Sequence, residues 1–257
     1  MQRVLAILSY DGTNFHGYQR QPVSRSVQGE IEKALRIIHK AEFWPSTSSG
    51  RTDAGVHGLN QPVHFDTPLS IPEDRWAVAL NSILPNDMHV KSCQYVPSAF
   101  HARYDAVGKE YVYRMNTAVQ PDVFKRNYVY HLPKNLDLSA MSEAAEYLLG
   151  THNFTSLSSP KTDVIDKVRT IFRVNITRYE NEWTFRFIGS GFLYQMVRIL
   201  MGTIIQAGLG DIKPSDISQI IVSMDRTLAG PTAPGCGLYL AQVFYERDHL
   251  EKYIEEL

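Results

Sequence analysis

Ten residues, Ser49-Gly50-Arg51-Thr52-Asp53-Ala54-Gly55-Val56-His57-Gly58, place a cation, a carboxylate and an imidazole among three glycines, with Val56 the one large apolar side chain. A run of this kind builds a loop around a charged group. Gly50, Gly55 and Gly58 open backbone conformations closed to other residues, which is how a loop fixes a functional side chain in a set pose. Asp53 is the side chain so held. Arg51, two positions away, biases a partly enclosed carboxylate towards its ionised form, the form required of a nucleophile or an ion-pairing group. For an isolated Gly-Asp loop the plainer reading is an Asx turn beside a surface arginine.

Two further stretches carry recognising or charged side chains. Phe100-His101-Ala102-Arg103-Tyr104 leads into Lys109-Glu110-Tyr111-Val112-Tyr113-Arg114 with an alternation that predicts a long strand or hairpin. Tyr111 and Tyr113 then share one face, where a core would claim both. Residues 192–205 are apolar around most of a helical circumference, which predicts a helix buried on nearly all sides. Arg198 lies inside it. A buried guanidinium is costly unless a carboxylate pairs with it, so the helix calls for an acidic partner.

The elements that must position these groups follow from periodicity. Residues 4–9 read as a strand, and Ser26 caps a helix over 27–39 whose apolar positions Val27, Ile31, Ala34, Leu35 and Ile38 follow the helical period. Between them lies the polar loop Tyr10-Asp11-Gly12-Thr13-Asn14-Phe15-His16-Gly17-Tyr18-Gln19, whose Tyr, Phe and Gln residues could equally be a structured turn on the core, although aromatic and amide side chains beside Arg20 suit an RNA-contacting lip. After the Asp53 loop come a strand over 61–66, a helix over 72–83 and a strand over 88–96. In the second part, a strand over 128–131 precedes a helix over 140–149, and 168–179 with 182–188 form a hairpin turning at Glu180-Asn181. A last long helix over 217–224 is capped by 213–216, and 241–245 is a strand. Strand-helix-strand order recurs in residues 1–110 and 111–257, which predicts two α+β halves joined through one mixed, mainly antiparallel sheet with helices on one side.

Composition narrows the function classes. A chain of 257 residues with 44% hydrophobic and 21% charged residues buries a sizeable core. Cys93 and Cys236 have no metal-ligand spacing and form no disulfide framework, which points to a reducing, cytoplasmic setting, and the histidines show no clustered ligand pattern. No apolar run reaches membrane-spanning length and the N-terminus has no cleavage site of signal-peptide type. With a formal net charge of −1, binding to a polyanion requires charge to be segregated. The acidic end, 246–256, collects negative charge, leaving Arg20, Arg25, Arg103, Lys109, Lys125, Arg126, Lys161, Lys167 and Arg169 elsewhere; most charge runs of this kind are solvated faces.

Residues 50–57 read Gly-Arg-Thr-Asp-Ala-Gly-Val-His, and this run resembles the active-site motif of the TruA family of tRNA pseudouridine synthases at all eight positions. The resemblance extends along the chain. The loop from Tyr10 to Gln19 matches the family's Y-D-G-T-x-F-x-G-[YW]-Q, and Phe100 to Tyr113 its F-H-A-R-x-x-A-x-x-[KR]-x-Y-x-Y. Residues 150–157 match G-x-H-x-F-x-x-[FL], and 189–198 follow G-x-G-F-L-Y-[NH]-M-V-R, with Gln195 in place of the usual Asn and Ser190 in place of a frequent one. Residues 232–240 match T-A-P-x-x-G-L-x-L.

The resemblance implies a pseudouridine synthase fold, α+β, with two ferredoxin-like halves, a central active-site cleft and a homodimer. It implies isomerisation of uridine to pseudouridine at positions 38, 39 and 40 in the anticodon stem-loop of tRNA, without a cofactor or metal, with tRNA rather than DNA as partner. Asp53 becomes the catalytic carboxylate, Arg51 a group that contacts phosphate and fills the space of the flipped nucleotide, Tyr111 the ring that stacks on the target uracil, and Arg198 the cation paired with Asp53. Leu238 becomes an apolar wall of the substrate pocket, and Phe100, His101, Ala102, Arg103 and Tyr104 substrate-binding positions. Stacking is what a base extruded from RNA needs, because the pocket must replace the stacking it has lost. The rival readings are a catalytically silent RNA-binding module and a glycosidase using Asp53 with Asp66, for which nothing sets the separation of the two carboxylates.

Overall fold

Alternating burial along Gln2–Tyr10 makes this segment a strand, β1, with Val4, Ala6 and Leu8 turned into a core. In the computed structural model, which describes residues 1–162 and 164–257, it is followed by α1 (Val27–His39), β2 (Thr47–Ser48), β3 (His57–Thr67), α2 (Glu73–Asn81) and β4 (Met88–Val96). Then come β5 (Gly108–Asn116), β6 (Tyr130–His131), α3 (Leu138–Glu146), β7 (Gly150–Asn153), β8 (Val168–Tyr179) and β9 (Glu182–Gly189). The order closes with α4 (Met196–Leu209), α5 (Asp216–Ser223), β10 (Leu238–Phe244) and α6 (Arg247–Glu255). Against the expected halves 1–110 and 111–257, the first compact unit is Met1–Ala106 with Tyr239–Tyr245, and the second is Val107–Leu238 with Glu246–Leu257. Both are α+β.

In the first unit β1 is flanked by β3 and β4, both antiparallel, with Val4 opposite Phe65 on one side and Tyr95 on the other. Tyr239 and Leu240 of β10 run parallel to β3 opposite His57 and Gly58, which makes the sheet mixed. α1 and α2 cover one face, where Val4, Ala6, Leu8, Val63 and Phe65 meet Ile31, Leu35, Trp76 and Leu80. The Ser26 hydroxyl accepts from the Gly29 N–H at 3.3 Å, the cap that a serine just before an apolar helical period predicts. The strand expected over 61–66 begins four residues earlier, at His57, so the Asp53 loop runs directly into β3.

In the second unit β5, β9, β8 and β7 pair antiparallel in that order, and β6 lies parallel to β5. The β8–β9 hairpin turns where expected, with Glu180 at φ 52°. Asp137 caps α3 by accepting from the Ser139 and Ala140 N–H groups. α4 is buried on nearly all sides, as its composition predicts, but it starts at Met196 rather than 192, because Gln195 takes the left-handed conformation at φ 59° and closes the helix there. The cap expected from 213–216 works differently. Asp216 accepts from the Lys213 N–H at 2.9 Å, while the Ser215 side chain caps nothing.

The acidic end carries the amphipathic helix α6, whose acidic side chains stay exposed. Leu250 of α6 packs over Gly108, and the Tyr253 hydroxyl donates to Glu110 Oε2 at 2.8 Å. Glu110, 1% exposed, also receives the Arg186 Nε at 2.6 Å across the β5–β9 ladder. A buried carboxylate stripped of its cation is far more costly than the intact pair is stabilising. Arg186→Met is therefore expected to lower stability by about 3 kcal/mol in denaturant unfolding, whereas the double variant Arg186→Met, Glu110→Met recovers most of that loss.

Candidate functional site

The Asp53 loop is built by interlocking two segments of the first unit. The Thr52 carbonyl accepts from the Tyr18 N–H at 2.9 Å, and the Gly55 N–H donates to the Phe15 carbonyl at 3.3 Å. Tyr10 Oη and Thr52 Oγ1 lie 2.8 Å apart, and the Gly12 N–H donates to His57 Nδ1 at 3.0 Å. The base of the loop is fixed to β3, where Ser49 donates its N–H to the Pro62 carbonyl and Gln61 Nε2 donates to Ser49 Oγ. Thr52 and Val56 are buried, Asp53 is half-buried, and Arg51 and Ala54 are exposed. The anchors sit on either side of Asp53, and the Val56 N–H closes a tight turn on the Asp53 carbonyl at 3.2 Å. Of the three loop glycines only Gly55 has positive φ, 74°; Gly58 is needed for space, since a Cβ there would lie 2.4 Å from the Tyr10 ring.

This geometry corrects the lip expected over residues 10–19. Tyr10, Phe15 and Tyr18 are at most 5% exposed and hold the Asp53 loop from behind, so they are not available to RNA. Gln19 and Arg20 remain exposed, with Arg20 stacked over Phe43 and 3.6 Å from Glu32. Arg25 is spoken for as well, held bidentately by Asp87 at 2.6 and 2.8 Å and by Glu30 at 3.0 Å, which pushes its pKa up.

Residues 100–105 are a compact turn, not the expected start of a long strand, and β5 begins only at Gly108. His101 Nδ1 accepts from the Arg103 and Tyr104 N–H groups at 3.1 and 3.2 Å, and Asp105 accepts from the His101 N–H. These side chains take up backbone donors that a ladder would have used. Phe100 packs on Tyr245, its carbonyl held by Arg3, and Ala102 is buried between His64 and the Tyr245 hydroxyl. Arg103 and Tyr104 point outward; Tyr104 is 77% exposed and stacks on His101 at 4.2 Å. Of the five positions, three build the turn and two are presented by it.

In the second unit Tyr111 is 8% exposed and meets Phe192 edge to face, with ring centroids 5.2 Å apart. Tyr113, two residues on, is fully buried and donates to the Pro234 carbonyl at 2.9 Å, so both tyrosines are buried on one face of β5. Arg198 lies in the first turn of α4 and is half-buried, less enclosed than the composition of its helix suggests. Its Nε donates to the Ala233 carbonyl at 2.7 Å while the Ala233 N–H donates to the Arg198 carbonyl at 3.0 Å. This reciprocal pair fixes the 232–237 segment that leads to buried Leu238, a link that no sequence pattern announced. Gln195, which replaces an Asn of the motif, sits in the left-handed region that Asn tolerates better, so the replacement acts on the backbone. Ser190, the other replacement, accepts from the Thr170 N–H at 3.1 Å. Among the described residues no group of three His, Cys, Asp or Glu side chains is placed to hold a metal ion.

Comparison with known proteins follows the same residues. The sequence model described as tRNA pseudouridine synthase matches residues 6–105 and 144–246. The chain is 51% identical over 246 residues to the tRNA pseudouridine synthase A of Anoxybacillus flavithermus, covering 96% of this chain and 100% of that protein. It is 51% identical over 245 residues to the protein of the same name from Bacillus subtilis, covering 95% and 99%. Among solved structures, an archaeal box H/ACA sRNP Nop10–Cbf5 complex aligns over 88% of this chain and 60% of that chain, at 14% identity and a TM-score of 0.37.

The 100–105 turn carries a pH dependence. His64 Nδ1 accepts from the Ala102 N–H at 3.2 Å, and burial, with the Arg3 charge adding to it, pushes the imidazole down to about 4. An unfolded histidine titrates near 6.5, so between these values the unfolded chain binds the extra proton and stability is lost as pH falls. The thermal midpoint is expected to drop between pH 7 and pH 4, with about 2–3 kcal/mol of that loss assignable to this group, and His64→Gln is expected to flatten that part of the slope.

Proposed function

Since the chain belongs to the tRNA pseudouridine synthase family, we propose that it isomerises uridine to pseudouridine in tRNA, at positions 38, 39 and 40 of the anticodon stem-loop, working as a cytoplasmic homodimer. The observation that carries the reading is the loop that holds Asp53 half-buried, anchored on both sides by backbone hydrogen bonds to residues 15 and 18. In the reaction the bond between ribose C1′ and uracil N1 breaks, the base turns, C1′ bonds to C5, the C5 proton leaves and N1 gains one. No atom is gained or lost overall, so the reaction draws on no co-substrate.

Asp53 in its ionised form attacks C1′, or removes a ribose proton on a route through a glycal. Tyr111 supplies a ring for the extruded uracil, already oriented by its edge-to-face contact with Phe192. Leu238 is its apolar companion. Arg198 favours the ionised carboxylate, while its Nε keeps the 232–237 segment in place. Exposed Arg51, Arg103 and Tyr104 are the side chains offered to RNA, the arginines to phosphate and the tyrosine to a base. Phe100, His101 and Ala102 serve substrate binding through the turn they build.

The glycosidase reading loses its second carboxylate. Asp66 is held by Arg3 through two bonds of 2.7 and 2.8 Å, and that guanidinium keeps it below the usual carboxylate range, the reverse of what a general acid needs. The silent RNA-binding module is separated by experiment. Tritium release from C5-labelled uridine in tRNA is expected from this chain and from no module that only binds.

Asp53→Asn is expected to abolish that release while the Kd for tRNA changes by less than about threefold, because only the charge at the reacting centre is removed. Turnover near that of the wild type would reject Asp53. Tyr111→Phe keeps the ring and is expected to lower the rate modestly, whereas Tyr111→Ala removes the platform and is expected to cost about 100-fold or more. Wild-type rates in both variants would return Tyr111 to the core.

A further inference from the structure

His57 belongs to the Asp53 motif, yet no step of the reaction uses it. Its ring is 2% exposed, stacked on Tyr239 at 4.6 Å and 22°. Its Nδ1 is reached by two groups, the Gly12 N–H at 3.0 Å and Asp11 Oδ1 at 3.3 Å, which make opposite demands on that nitrogen. A proton on Nδ1 would serve Asp11 and strand the buried Gly12 N–H. Asp11 Oδ1 already accepts from the Thr13 N–H and hydroxyl at 2.9 and 2.6 Å, whereas the Gly12 N–H can only donate. The balance of donors leaves Nδ1 unprotonated, accepting from Gly12, with the ring neutral and its proton on Nε2.

We propose that His57 is the positioning residue that sets the conformation of the Asp53 loop, through the lone pair of Nδ1. The bond it makes joins backbones that touch: a Cβ on Gly12 would lie 2.1 Å from the Val56 carbonyl oxygen, so nothing else can enter between the two segments. Val56, directly before His57, closes the turn on the Asp53 carbonyl. Three consecutive constraints therefore run from Nδ1 through the Val56 peptide to the backbone of Asp53. A shift of the Gly12 segment would be passed to the carboxylate, and an error of an ångström in a reacting group costs about 100-fold in rate. This inference rests on Asp53 being the reacting carboxylate.

The ring has two separable parts, a stacked plane and an acceptor, and two substitutions divide them. His57→Phe keeps the plane and removes the acceptor. His57→Asn removes the plane and puts Oδ1 where Nδ1 stood, two bonds from Cβ. With tRNA at saturation and C5-tritium release followed in a single turnover, His57→Phe is expected to slow the rate by about tenfold or more while the Kd for tRNA stays within about twofold. His57→Asn is expected to return the rate to within about threefold of wild type although it lowers the thermal midpoint.

A His57→Phe rate within twofold of wild type overturns the proposal, as does a folded His57→Asn no faster than His57→Phe. If His57→Phe fails to fold, His57→Asn decides alone, a near-wild-type rate supporting the acceptor role and a loss of tenfold or more rejecting it. Asp53→Asn is measured alongside. An active Asp53→Asn overturns Asp53 as the reacting carboxylate and this inference with it, whereas an inactive Asp53→Asn beside a His57→Phe of wild-type rate overturns this inference alone.

Discussion

The contact on which the Asp53 loop depends is the meeting of two backbones, Gly12 against the carbonyl of Val56, at a distance where no side chain fits. Everything around it follows from that closeness. Once the segments touch, their polar groups must satisfy each other, and the Gly12 N–H, the Thr52 carbonyl and the Phe15 carbonyl do so within a few residues. Loops of this composition are ordinarily mobile, because small residues leave the backbone many states to lose. Here the loss is offset by backbone hydrogen bonds on both sides of Asp53.

The second unit secures its groups on both faces of one strand. Alternation along β5 turns Tyr111 to one side and Glu110 to the other, and Glu110 is tied to Arg186 and Tyr253. The strand that carries the ring is thus braced from behind by an ion pair reaching two other elements. Arg198 follows a similar logic. Its guanidinium spends one donor on the Ala233 carbonyl, so a cation in an apolar helix also serves as a strut for the segment that precedes β10.

Much of this was legible in the sequence where the determinant is local. Ser26 and Asp137 announce helix starts because the cap is a bond between neighbours in the chain, and Glu180-Asn181 announces a hairpin because the turn is set by its own residues. The Asp53 motif was legible as a charged glycine-rich loop from its own residues, whereas the bonds that fix it come from Phe15, Tyr18 and Pro62. The pattern misled where side chains compete for the backbone: residues 100–105 alternate like a strand, but His101 and Asp105 accept the amides that a ladder needs. It was silent where the partner is remote. Nothing near Glu246 says that Leu250 and Tyr253 will find Gly108 and Glu110, and nothing near Tyr10 says that its ring will meet Thr52, 42 residues on, rather than face a ligand.

The parallel pairing of Tyr239 and Leu240 with His57 and Gly58 has a bearing on how the molecule comes into being. The neighbouring bond from Asn60 Nδ2 to the Ala241 carbonyl spans 181 residues of chain. During synthesis on a ribosome the part of β3 beside the Asp53 loop, His57 and Gly58, therefore waits for β10 while nearly all of the second unit emerges, although β2 already pairs with the same strand at Val63 and His64. A nascent edge exposed that long is open to pairing with a neighbouring chain. Asn60 and Asp66 are half-buried polar residues along it, and the Arg3–Asp66 pair joins β1 to β3 long before β10 arrives. The assembly order written into this topology is an early hairpin-like partnership of the first strands, completed only when residues near the far end of the chain come back to it.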